Sequence, residues 1–157
     1  MLIRSATADD VPAVLPLVRA LCDLHASADP DRFAVRPDVL DRYSAWLPER
    51  ARDPRSVFLV AEAPGVLGLA GFVVCTIEPE VPIFWVPECG WIHDLYVVPA
   101  ARRHGTARAL VREVVSRYSS IGVKQLRLHT GTFNDIARKA FAAEGFRPCV
   151  VEMLRML

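Results

Sequence analysis

"WIHDLYVVPAARRHGTARAL", residues 91–110, runs apolar up to Pro99, gathers Arg102, Arg103, His104 and Arg108 about Gly105, and resumes as a helical apolar pattern. The chain as a whole is almost neutral, with 19 basic and 18 acidic side chains, so this basic cluster is a local feature. A strand that turns directly into a helix leaves the first helical amides unpaired, with the positive end of the peptide dipoles behind them. A diphosphate can occupy that end and collect main-chain hydrogen bonds from residues 103 to 108. Gly105 lets the backbone approach an anion without a Cβ in the way, and Ala107 keeps the next turn slim. The arginines add charge in a geometry suited to phosphate. A solvated basic face is the competing reading of the same residues. The chain holds neither a Walker-type G-x-x-x-x-G-K loop nor a G-x-G-x-x-G dinucleotide fingerprint.

Working outward, "WIHDLYVV" reads as a strand with Ile92, Leu95 and Val97 at core positions. Strict alternation fails between Ile92 and Leu95, and one extra residue, a β-bulge, restores it. Upstream, "SVFLVAE" and "LAGFVVCTIE" read as an antiparallel pair joined by the turn-prone "APGVLG". "MLIRSA" suits a first strand. Two helices follow it, one with Val11, Val14, Leu15, Val18, Leu21 and Cys22 inward, the other with Val39, Leu40, Tyr43 and Leu47 inward and limited by Pro48. "SADPDRFAVRP" between them reads as a loop. Downstream, the helix from His104 turns Ala107, Leu110, Val111, Val114 and Val115 inward. "VKQLRLHTG" reads as a strand, "NDIARKAFAAEG" as a helix and "FRPCVVEMLRML" as a last strand. The order predicts an α/β fold with a mixed sheet, hairpins first and a strand–helix–strand crossover later.

At 157 residues and 52% hydrophobic, the chain suits one domain with a substantial core. Cys22, Cys75, Cys89 and Cys149 form no C-x-x-C pair and read as buried reduced thiols of a cytoplasmic protein. The first residues meet aspartates before any leader-like apolar run develops. The longest apolar stretch, Ala63 to Cys75, is too short and glycine-rich to span a membrane. Neither nucleic acid nor a membrane is expected as a partner, no metal-ligand cluster is legible, and a homodimer stays open.

The R-x-x-G-x-A of Arg102, Gly105 and Ala107, set behind "LYVVP", resembles the acetyl-coenzyme A motif of the GNAT family of N-acetyltransferases. The likeness covers nearly the whole chain. "IRSATADD" looks like the family's opening strand and helix cap, and "NDIARKAFAAEGF" is similar to its second cofactor segment, N-x-x-A-x-x-x-F-x-x-x-G-F. This resemblance implies one N-acetyltransferase domain over residues 1–157, with a mixed, mostly antiparallel sheet flanked by helices and splayed fourth and fifth strands. It also implies an acyltransferase that uses acetyl-CoA as co-substrate and no metal. A primary amine attacks the thioester directly in a ternary complex. A small amine or amino acid is favoured as acceptor over a peptide or protein amine, and an acyl-CoA sensor without catalysis is the alternative.

By the same resemblance, Leu95, Tyr96 and Val97 lie along the pantetheine arm, with Val97 bonding it through its main chain. Arg102, Arg103, His104, Gly105, Thr106, Ala107 and Arg108 surround the diphosphate. Asn134 touches the arm or caps its helix, and Ala137 leaves the arm room. Phe141 stands where many relatives carry a tyrosine thought to protonate the departing thiolate. The attacking amine must be neutral, so a base within reach, directly or through water, assists it. Asp94, His93, Glu88 and His129 are the candidates, with Asp94 working through a water preferred. Each has a structural alternative, as a cap, a packed ring or a solvated carboxylate. Phe33, Phe84, Trp46, Trp85 and Trp91 could wall an acceptor pocket or simply pack.

Overall fold

A computed structural model describes all 157 residues. The chain runs β1 (Leu2–Ser5), α1 (Val11–Ala28), α2 (Pro30–Phe33), α3 (Val39–Arg52), β2 (Val57–Glu62), β3 (Gly71–Pro79), β4 (Glu88–Val97), α4 (Thr106–Ser120), β5 (Leu126–Leu128) and α5 (Asp135–Ala143). The strands form one sheet in the order β1-β2-β3-β4-β5. Every neighbouring pair is antiparallel except β4 and β5, which run parallel. This is the mixed, mostly antiparallel sheet that the sequence predicts.

Alternation along β2 and β3 sorts their side chains onto two buried faces. Leu59, Val73 and Cys75 point toward α4, where Leu110, Val114 and Tyr118 meet them. Phe58, Val60, Phe72 and Val74 point toward α1 and α3, against Val14, Val18 and Leu47. Both sides of these central strands are covered, which explains their continuous apolar sequence. By length and composition, α1 with its leading turn could cross a membrane, but its Val11, Val14 and Val18 are buried in this second core.

The bulge lies where the broken alternation puts it. Val74 pairs with Asp94 and Cys75 with Ile92, so His93 is the extra residue. Ile92 and Leu95 therefore both face α4, while His93 and Asp94 both face α3. Gly90, beside β5, has no room for a side chain, since a Cβ there would lie 2.7 Å from the Tyr118 ring and 3.0 Å from Leu126.

Several expectations are corrected. Pro48 sits inside α3 rather than limiting it, just as Pro16 sits inside α1. Each removes one donor, but packing of Leu47 and of Val14 and Val18 on either side holds the helix together. The loop after α1 contains the short α2. Tyr118 rather than Val115 is buried on α4. Of the four thiols only Cys75 and Cys89 are buried, while Cys149 is exposed. The expected last strand does not form. Residues 147–157 make no main-chain hydrogen bond to any strand, and the outer edge of β5 stays open.

Candidate active site

β4 and β5 pair only from Gly90–Leu126 to Ile92–Leu128. Beyond Ile92 they part, and the gap opens into a cleft of about 330 Å3 between the sheet, α1, α2 and α5. A second opening of about 330 Å3 lies between α3 and β4, lined by Arg42, Tyr43, Trp46, His93 and Asp94. His93 and Asp94 line both. The bulge thus places two ionisable side chains in succession on the floor shared by the two openings.

Asp94 accepts a 2.8 Å hydrogen bond from the Tyr43 hydroxyl. Burial pushes its carboxyl above the usual carboxylate range, and the Tyr43 bond and the His93 ring oppose that rise in part. The same burial, together with the Asp94 charge, pushes the Tyr43 phenol up, so Tyr43 stays a donor. His93 Nε2 lies 2.6 Å from the Thr76 hydroxyl, which itself bonds Glu78. One hydroxyl carries one proton. With that proton on the Glu78 side, His93 donates through Nε2 and keeps Nδ1 as an acceptor. Burial lowers the His93 pKa below its ordinary 6.5, leaving the ring neutral at pH 7.

The other two candidate bases part company with this pair. Glu88 receives Arg55 at 2.7 Å and lines neither opening, so it is removed from the floor by its ion pair at the far end of β4. His129 lines the β4–β5 cleft, edge-on to Trp91 at 4.8 Å between ring centres. Among the aromatic residues, Phe33 and Trp91 line the β4–β5 cleft and Trp46 the opening beside α3. Trp85 is 99% exposed and Phe84 also lies outside both.

The free side of β4 supplies main-chain groups. The Val98 amide bonds the Ala70 carbonyl, which fixes the alternation of main-chain direction along the strand. The N–H and C=O of Tyr96 are accordingly turned toward β3, while those of Leu95 and Val97 are turned toward the gap. Tyr96 therefore differs from Leu95 and Val97 and offers the gap no main-chain hydrogen bond.

At the end of β4 the chain winds into α4 through a tight turn in which Arg103 (φ 64°) and Gly105 (φ 81°) are both left-handed. The amides of residues 103 to 108 have no acceptor within the protein. Gly105 is needed for its positive φ; a Cβ there would meet open space. The side chains are distributed differently from the sequence expectation. Arg102 gives its Nε to the Val97 carbonyl at 3.0 Å and lies over the Tyr96 ring. The Thr106 hydroxyl bonds the Ala101 carbonyl and is buried. Arg108 and Arg112 converge on Glu144 at 2.9 and 2.8 Å. Arg103 and His104 are exposed and, like the amides, have no partner.

On α5, Asn134 caps the helix by accepting from the Ala137 amide at 3.1 Å, and both residues line the β4–β5 cleft. Phe141 lines it too, edge to face with Phe146 at 5.4 Å. Sequence reading missed Tyr43, Thr76 and Glu78. By periodicity Tyr43 belongs to the apolar face of its helix; its hydroxyl is the one sign in the sequence that this face meets a polar group.

The profile of the Acetyltransferase (GNAT) family matches residues 18–146. An uncharacterized N-acetyltransferase of Archaeoglobus fulgidus is 29% identical over 147 residues, covering 94% of this chain and 93% of that one. A tetramutant protein of Bacillus halodurans superposes with a TM-score of 0.83 at 22% identity, covering 100% of both chains. A predicted acetyltransferase of Clostridium acetobutylicum, solved with acetyl-CoA, gives a TM-score of 0.75 at 16% identity over 99% of this chain and 95% of its own.

Proposed function

The chain belongs to the GNAT family of acetyltransferases, and from that premise we propose that it moves the acetyl group of acetyl-CoA to a primary amine by direct attack within a ternary complex. The carrying observation is the parting of β4 from β5 beyond Ile92, with Asp94 lining the cleft it opens and acceptor-free amides at residues 103 to 108 where β4 winds into α4. Acetyl-CoA supplies the activated acyl group. Residues 103 to 108 hold its diphosphate through their amides, helped by the positive end of α4, the guanidinium of Arg103 and the exposed ring of His104. The outward main-chain groups of Leu95 and Val97 pair with the pantetheine arm as a neighbouring strand would. The Val97 N–H is aimed where negative charge develops on the attacked carbonyl oxygen.

Asp94 takes the ammonium proton through a water. Its raised pKa brings it closer to the working pH than an ordinary carboxylate, and Tyr43 fixes the orientation of its carboxylate. Most of the rate gain comes from holding amine and thioester together in the gap. The limited volume and the walls of Phe33, Trp46 and Trp91 suit a small amine or amino acid. Phe141 carries no hydroxyl, so the departing thiolate takes its proton from water.

The test pairs calorimetry with a thiol-release screen over amines, amino acids and peptides. Coenzyme A binding, with thiol release above hydrolysis for at least one amine, is the expected result. Binding without turnover across the whole panel would instead make this an acyl-CoA sensor. No binding at all would sink both readings.

A further inference from the structure

In the proposed acetyl transfer, on which this inference rests, the attacking nitrogen loses two protons. An ammonium must lose one before it attacks. Once bonded to the carbonyl carbon, the nitrogen is positive again until it loses another. Asp94 takes the first. Beside it stands His93, the residue that the bulge adds, whose side chain lines both openings and is 30% exposed.

The surroundings of His93 decide which ring nitrogen is free. Nε2 lies 2.6 Å from the hydroxyl of Thr76, a buried residue that also bonds the Glu78 carboxylate. Glu78 Oε1 is 3.5 Å from Nε2. A carboxylate only accepts, so the Thr76 proton lies on the Glu78 side and Nε2–H is donated to Thr76. Nδ1 is left unprotonated, and no group of the protein donates to it. The Trp46 ring, edge-on at 5.4 Å between centres, holds the imidazole plane. Burial, helped by Arg50 of α3, keeps the ring neutral against the carboxylates of Asp94 and of Glu78 on β3. The Glu78 carboxylate near Nε2 then steadies the charge that the ring acquires on protonation.

We propose that His93 is a second catalytic base, which takes the proton released after attack, and that Thr76 and Glu78 are positioning residues that keep its Nδ1 free. The nitrogen lone pair forms the C–N bond as the carbonyl π pair moves to oxygen. Nδ1 takes a proton from the cationic nitrogen, and the N–H pair returns to nitrogen. The carbonyl re-forms as the C–S bond breaks, its pair leaving on sulfur. The thiolate takes a proton from water, and the hydroxide so formed takes the Nδ1 proton through the opening beside α3. Ammonium and thioester become amide, thiol and one proton, the proton that passed through Asp94.

The test uses an amine that the wild type acetylates and its fluorinated analogue, which is less basic and already neutral at pH 7. Asp94→Asn is expected to damage transfer to the first at least about ten times more than to the second, because only the first has a proton to lose before attack. His93→Ala is expected to lower kcat for both by roughly 100-fold, with KM for acetyl-CoA unchanged and with partial rescue by imidazole in solution. Nitrogen-15 NMR of the His93 ring is expected to show the Nε2–H tautomer at pH 7, kept in Thr76→Ser and lost in Thr76→Val. An Nδ1–H tautomer in the wild type overturns the proposal. So does a His93→Ala penalty that vanishes with the neutral amine, or one that imidazole does not relieve in a variant folded by circular dichroism. A wild type that acetylates no amine would instead strike the transferase reading itself, and the proposal with it.

Discussion

The residues up to Tyr118 and those after it obey different physics. In the first region β2 and β3 are covered on both faces, and Phe72, Leu59 and Leu110 are fully buried. In the second no residue is buried, α5 leaves Ile136 84% exposed, and β5 is three residues long. The first region completes its own core. The second lines the β4–β5 cleft with Leu128, Ala137 and Phe141 and leaves the outer edge of β5 and the apolar residues from Val150 onward uncovered.

The sharpest way to break this contrast is to cut side chains in both regions. Phe72→Ala is expected to cost about 3–5 kcal/mol and Ile136→Ala less than about 0.5 kcal/mol in urea unfolding. Similar losses for the two would erase the distinction. Next in size is the response to ligand. Acetyl-CoA at a hundred times its dissociation constant is expected to stabilise the chain by about 2.7 kcal/mol. Hydrogen exchange should slow at residues 103–108 and 126–141 and stay unchanged in β1 and β2. Protection spread evenly over the chain would show the regions to be one cooperative unit.

The seam between them can be tested at Gly90. A methyl there meets the Tyr118 ring and Leu126, so Gly90→Ala is expected to cost about 1–3 kcal/mol and to displace β5. A neutral outcome would mean that β5 is loosely held. The smallest effect is at the floor of the gap. Asp94 has a raised folded pKa, so its ionisation costs stability once the pH exceeds the unfolded value of 3.8. Asp94→Asn is therefore expected to raise Tm modestly at pH 7, to lose that gain below pH 3.8, and to slow acetyl transfer more at low pH than at high. An unchanged Tm at pH 7 would show that burial does not burden the carboxylate.

This contrast also explains what could be read from the amino acids. The central strands, α1, α3 and α4 were legible because their periodicity records burial that the chain itself provides. Even the bulge was legible, as a fault in that periodicity between Ile92 and Leu95. The last segment shows the converse. Its residues favour a strand, but a strand is a relation between neighbours, and no main-chain hydrogen bond joins this segment to the edge of β5. The turn at Gly105 was legible as a motif, whereas the engagement of Arg102 with Val97 and of Arg108 with Glu144 depends on contacts 5 and 36 residues away. Tyr43 was hidden because an aromatic ring on an apolar stripe looks like packing until its hydroxyl finds a carboxylate.

The doubled step at His93 and Asp94 has an evolutionary consequence. The two halves of β4 are out of phase with one another by a single position, so losing one codon there would bring them into phase. Such a deletion would yield a tidier strand, still apolar on the α4 side, with only one polar group left where two now stand. Sequence drift at one codon would therefore remove a polar group from the floor while leaving the scaffold intact, and a descendant so changed would be recognised by its regular fourth strand.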